Sequence, residues 1–212
     1  MRNINQNLFF NAIIILVVGS AIWYFYSEQS KKNKFSILSH FTDLIFYFVV
    51  SALTINIVIH FEEIVLMPYR AIIFSSNVIA NATFIIIAYA GITFGERLLE
   101  KPDKARSTIQ LFLFISIVNH IYLYFNYSNI RSILFIGFFI LLLAITSSNY
   151  FTSKIDPLII FLGAGIVHYF LMGDQAVLYF NFSYYKLPFI IYILTLTLIL
   201  YLKRRKLKSN QI

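Results

Sequence analysis

The chain has 212 residues, of which 59% are hydrophobic and 12% charged, and its formal net charge is +8. A soluble domain of this length needs more polar surface to cover its core, so the composition excludes a soluble globular protein. The absence of cysteine excludes disulfides, thiol redox chemistry and cysteine metal ligands. We therefore predict an all-α, polytopic transmembrane helix bundle that forms one domain over residues 1–202, followed by a short basic cytoplasmic tail at residues 203–212.

Seven apolar segments approach the length of about 20 residues that a helix needs to cross the hydrocarbon core of a bilayer. In chain order, the predicted spans are Leu8–Tyr26, Phe41–Phe61, Ser75–Gly95, Thr108–Phe125, Ile130–Thr146, Leu158–Met172 and Leu187–Leu202. The first ends in the aromatic run 23–26, which is typical of an interface belt and not of a cleaved signal peptide. Because the loop at 126–129 is very short, we expect consecutive helices to pack as antiparallel neighbours.

The basic residues indicate the orientation of these seven spans. Thirteen of the 17 lysines and arginines lie in the first, third and fifth loops or in the tail, all on one side of the bundle. Cytoplasmic loops of membrane proteins are enriched in Lys and Arg. The pattern therefore predicts a multi-pass protein of the cell membrane with its N-terminus outside and its C-terminus in the cytoplasm.

Polar residues at membrane depth are costly and mark candidate functional sites. Most of them fall in the outer half of the second, third, fourth and sixth spans, whereas the inner halves look apolar except for Asp43. The predicted ligand-binding or cavity residues are Asn56, His60, Glu63, Arg70, Asn77, Asn81, Asn119, His120 and His168. We expect Arg70 to pair with Glu62 or Glu63, and Asp174 to begin a solvated loop. That loop is rich in aromatic residues and could form an interface belt or a lid.

The chemistry of these residues leaves two interpretations open. A single histidine or asparagine in a membrane helix is most often a hydrogen-bonded strut between helices, whereas several converging ones could bind a ligand. The sequence contains no His-x-x-x-His pair, no His-Glu-x-x-His motif and no nucleophile elbow. We therefore assign no catalytic residue, and we predict no metal site and no cofactor.

The functional expectation is a non-enzymatic protein that binds or transports a small solute or lipid through an outward-facing polar cavity. The alternative is a membrane-embedded hydrolase or transferase that acts on a lipid or lipid-linked substrate by His/Glu acid–base chemistry. Membrane lipids are the expected partners, and a second membrane protein is a further candidate. Nucleic acid is not expected, because the positive-inside pattern already explains the positive charge.

Overall fold

The structure is a computed structural model that describes residues 4–100, 102–148, 157–173, 177–179 and 182–209. These residues are almost all helical, as predicted. The helices are α1 (Ile4–Tyr26), α2 (Lys31–Ile59), α3 (Phe61–Leu66), α4 (Ser76–Glu100), α5 (Pro102–Tyr127), α6 (Arg131–Ser147), α7 (Pro157–Met172) and α8 (Lys186–Ser209), with a 3-10 turn at Pro68–Ile72. An antiparallel hairpin of β1 (Val177–Tyr179) and β2 (Phe182–Tyr184), which the sequence did not predict, joins α7 to α8.

Among the described residues, four helices are long and apolar enough to cross a membrane. They cover Lys31–Ile59, Ser76–Thr93, Asp103–Tyr127 and Lys186–Leu207. The other three predicted spans correspond to shorter apolar helices at Phe10–Tyr26, Arg131–Ser147 and Leu162–Met172. Several helices exceed their predicted spans by a turn or more. The largest differences are in α2, which begins about three turns earlier, and in α8, which continues into the basic tail as far as Ser209.

The helices are arranged around α5, which packs against α1, α2, α4 and α6. Consecutive predicted spans pack together in the pairs α2–α4, α4–α5, α5–α6, α6–α7 and α7–α8, whereas α1 packs mainly on α5. The expectation that consecutive helices would be neighbours therefore holds for these pairs but not for α1 and α2. The hairpin lies between helices, with β1 against α5 and β2 against α4.

The end of the bundle that holds the α1–α2 connection is more polar than the sequence indicated. Trp23 is fully buried in a cluster shared by α1, α2 and α5, so its assignment to an interface belt was wrong. Its Nε1 donates to the Ser107 carbonyl oxygen at 2.9 Å, and the Ser27 and Ser107 hydroxyls are 3.2 Å apart. Gln110 is also buried, with Nε2 3.2 Å from the Ser147 hydroxyl. Hydrogen bonds between helices therefore replace the predicted dry packing at this end.

Candidate functional site

Two of the predicted histidines come together in the interior. His120 lies on α5, about two turns before that helix ends, and His168 lies on α7, about one turn before its end. Their exposed fractions are 1% and 6%. Phe135 of α6 contacts both imidazoles, with ring centroids 4.6 Å from His120 and 5.0 Å from His168. Three helices thus bring two buried imidazoles to one place.

The two imidazoles differ in their hydrogen bonds. His120 Nδ1 lies 3.5 Å from the Ser132 hydroxyl, whereas its Nε2 is buried and finds no hydrogen-bond partner among the described residues. His168 Nε2 lies 3.0 Å from the Tyr179 hydroxyl. An unpartnered buried nitrogen is unfavourable, so His120 Nε2 is the atom of this cluster that is available to a further group.

The hairpin covers this place through polar contacts with three helices. Asn119 of α5 donates from Nδ2 to the Leu178 carbonyl oxygen at 3.2 Å, and the Tyr184 hydroxyl lies 3.2 Å from the Thr83 hydroxyl of α4. The third contact is the one between Tyr179 and His168 of α7. We call Asn119, His120, Ser132, His168 and Tyr179 the hairpin site.

Aromatic rings form most of the remaining wall of the hairpin site. Phe189 of α8 stacks on His168 with centroids 4.4 Å apart, and Phe138 and Phe139 of α6 also contact that ring. Burial raises the pKa of the Tyr179 phenol, so this group stays neutral at physiological pH. Apart from the two imidazoles, the polar groups of the site are therefore uncharged and are surrounded by apolar rings.

This donor set is suited to hydrogen bonding. Within the described ranges, no three or more His, Cys, Asp or Glu side chains are grouped as a metal ion would require. The site combines two imidazoles, one amide and two hydroxyls with stacked rings. Such a set can recognise a small polar group on an otherwise apolar molecule.

Four other predicted site residues form a second group at the chain reversal after α2. Arg70 donates from Nη1 to a carboxylate oxygen of Glu63, and this ion pair raises the pKa of Arg70. His60 Nδ1 lies 3.9 Å from the other carboxylate oxygen of Glu63. Asn56 is buried, and its Nδ2 donates to the Arg70 and Ala71 carbonyl oxygens, each at 3.0 Å. This group holds α3 and the 3-10 turn against α2.

The remaining predicted residues lie elsewhere. Asn77 and Asn81 are exposed on α4, where their neighbours Val78 and Ala82 are buried instead. The helical spacing of the two asparagines therefore marks an outer face of α4 and not the wall of a shared cavity. Asp174 lies outside the described residues.

Sequence reasoning missed two members of the hairpin site. Ser132 is a small residue in the first turn of α6 and gave no signal of its own. Tyr179 belongs to the aromatic loop for which a belt and a lid were both considered. The alternation of polar and aromatic residues around β1 and β2 was the one available sign that this loop could fold inward.

Comparisons with known proteins identify no relative. No protein-family model, no curated protein and no solved structure matches the chain. The function is therefore inferred from the geometry of the hairpin site and from the charge pattern of the chain.

Proposed function

We propose that this chain is a multi-pass protein of the cell membrane that binds a small neutral solute or lipid in the hairpin site. The observation that carries the proposal is His120 Nε2, a buried polar atom without a hydrogen-bond partner in the described part of the chain. A ligand group that bonded this atom would satisfy it, and the surrounding rings would contribute apolar contact.

The orientation is part of the same proposal. With the N-terminus outside, as the distribution of basic residues favours, the connection between α7 and α8 faces the extracellular side. The hairpin belongs to that connection, so the site beneath it is proposed to open outward. The hairpin would act as a lid that moves to admit the ligand.

Binding is favoured over passage through the membrane by the packing below the site. Leu111, Leu113 and Ile115, which precede His120 on α5 by about one and a half to two and a half turns, are all buried in apolar clusters. A continuous polar path along α5 would have to interrupt these clusters. The proposed protein therefore holds its ligand near one surface.

Binding is also favoured over acid–base catalysis. The best candidate pair for the enzyme alternative was Glu63 with His120 or His168, but Glu63 pairs with Arg70 and lies 3.9 Å from His60 Nδ1. The carboxylate therefore belongs to the chain reversal after α2. The hairpin site itself is built from groups that favour recognition of a neutral molecule.

The proposal is tested by screening ligands against the purified protein in nanodiscs. A panel of small neutral, lipid-soluble molecules is measured for its effect on the thermal unfolding midpoint, since a ligand that binds the folded state raises that midpoint. We expect one or more compounds to stabilise the wild type and to lose this effect in the His120→Phe/His168→Phe double variant.

The Asn77→Ala/Asn81→Ala double variant is the matched control. It also removes two polar side chains, but from the exposed face of α4, so the stabilisation by the same compounds should persist. Stabilisation that survives equally in both double variants, or a panel without any effect on the wild type, would contradict the proposal.

A further inference from the structure

The hairpin places a phenol ring of the protein itself in the hairpin site. The Tyr179 ring stacks on His168, with centroids 5.7 Å apart at an interplanar angle of 27°, and forms a T-shaped pair with His120, with centroids 5.3 Å apart. Its hydroxyl lies 3.0 Å from His168 Nε2. The site thus already surrounds a planar ring on several sides and contacts the oxygen of that ring.

The hairpin makes few hydrogen bonds to the helices, so another ring could take the place of the Tyr179 ring. The described side-chain hydrogen bonds that tie the hairpin to the helices are those from Asn119, Thr83 and His168, and each is made by a single pair of residues. Two strands of three residues each are marginally stable by themselves. The hairpin is therefore held by its packing against the helices, which includes the buried Val177, together with these hydrogen bonds.

One nitrogen of the His120 ring, which contacts the Tyr179 ring, is left without a hydrogen bond in the described structure. This nitrogen is Nε2, and it is buried. A neutral imidazole nitrogen accepts from a hydroxyl in one tautomer and donates in the other, so a hydroxyl can satisfy it in either case. The Tyr179 hydroxyl contacts His168 instead, so a different ring could bond to His120 with its own hydroxyl.

We propose that the ligand of the hairpin site is a neutral, planar ring compound bearing a hydroxyl group, and that Tyr179 occupies its place while the hairpin is closed. This inference rests on the proposed binding function and adds the chemical class of the ligand. The hydroxyl bonds to His120 Nε2, and the ring takes the stacking position of the Tyr179 phenol. An ionised ligand is disfavoured, because it would exchange its hydration for phenylalanines and uncharged polar groups.

Three probes with the same ring system separate the contributions of the ring, the hydroxyl group and the charge to binding. 2-Naphthol carries the hydroxyl, naphthalene lacks it, and 2-naphthalenesulfonate replaces it with a charge. Binding to the protein in nanodiscs is measured from the unfolding midpoint, with empty nanodiscs of the same lipid composition as the blank for partitioning. We expect 2-naphthol to bind roughly tenfold more tightly than naphthalene, the effect of one hydrogen bond in a buried site, and the sulfonate to bind weakest.

Substitutions of Tyr179 and His120 connect the binding result to these two residues. In Tyr179→Ala the internal competitor is absent, so the affinity for 2-naphthol should rise. In His120→Phe the preference for 2-naphthol over naphthalene should disappear while naphthalene binding persists. His120→Gln, which keeps a polar group, should retain part of the preference and serves as the second variant should His120→Phe fail to fold.

The outcomes distinguish this inference from the proposed function. Equal binding of naphthalene and 2-naphthol to the wild type, tighter binding of the sulfonate, or a preference that survives in His120→Phe would overturn the phenol-like ligand while leaving a binding site. Failure of all three probes on both the wild type and Tyr179→Ala, together with an inactive ligand panel, would overturn the site itself.

Discussion

The sequence around His120 reveals little about the buried site in which this residue lies. In the sequence, Asn119 and His120 form one polar pair, but the structure gives them different roles. Asn119 donates to the hairpin backbone, whereas His120 leaves one nitrogen without a hydrogen-bond partner in the described residues. A helix fixes which of its own residues share a face. The partners of those residues depend on α6, α7 and the hairpin, whose placement no spacing along α5 encodes.

Arg70 is a residue for which local reasoning was sufficient. A guanidinium near the membrane surface requires an anion or water, and Glu63 is close enough in sequence for the short α3 to present it. The ion pair forms between side chains that are 43% and 54% exposed. Sequence and chemistry therefore predicted this contact, although they placed it in a shared cavity and not at a chain reversal.

The ion pair between Arg70 and Glu63 should couple the effects of mutating these two residues on stability, and a double-mutant cycle measures this coupling. Arg70→Ala should lower the unfolding midpoint only slightly, since exposed ion pairs are largely screened. The combined Arg70→Ala/Glu63→Ala variant should lose less stability than the sum of the single variants. The difference should shrink at high salt, because screening weakens the pair.

Glu62 is the matched control for that cycle, because it carries the same carboxylate one residue earlier on α3. Arg70→Ala and Glu62→Ala should be additive. Equal coupling of Arg70 to both glutamates would show that Arg70 responds to the general charge of α3 and not to the Glu63 contact.

At the level of the helices, a close approach of two backbones explains the packing of α1 on α5, which the sequence left open. The distant helices α1 and α5 pack together at Gly19, where a Cβ atom would lie 2.7 Å from the Ile115 Cα. Nothing in the sequence indicated a close approach at this glycine. Of the two glycines in α7, Gly165 lies against Ile193 of α8, whereas nothing in the described structure lies within 4 Å of a Cβ at Gly163. Small residues identify helices that can approach closely, but not their partners.

Gly19→Ala should therefore destabilise the protein by about 1–3 kcal/mol, because the added methyl group meets the backbone of α5 and forces the helices apart. Gly137→Ala in α6 is the control, since its Cβ would have nothing within 4 Å among the described residues. Alanine is the better helix former, so this variant should be neutral or more stable by about 0.5–1 kcal/mol. Equal effects of the two substitutions on the unfolding free energy would contradict the close contact between α1 and α5.

For the whole molecule, composition and periodicity predicted the class and most of the helices. A chain this apolar has to bury its backbone polar groups in helices, and four of the predicted spans appear as helices of sufficient length. The hairpin and the polar end around Ser107 were not predictable in the same way. Both depend on contacts between residues far apart in the chain, such as Trp23 with Ser107 and Asn119 with Leu178.

The proposed orientation and the proposed site together place His168 in a site that is reached from outside the cell. The chain contains no cysteine, so single-cysteine variants can be made without removing native thiols. His168→Cys is compared with Ser128→Cys in the short connection after α5 and with Asn33→Cys at the start of α2. Leu123→Cys, a buried position on α5, controls for general access to the interior.

The decisive measurement is the rate at which a small membrane-impermeant thiol reagent, added to intact cells, labels these four variants. We predict fast labelling of Ser128→Cys, slower but complete labelling of His168→Cys as the hairpin opens, and protection of Asn33→Cys and Leu123→Cys. Labelling of Asn33→Cys with protection of Ser128→Cys would reverse the orientation. If His168→Cys stayed as protected as Leu123→Cys while Ser128→Cys reacted, the two histidines would belong to a closed core and not to an outward-facing site.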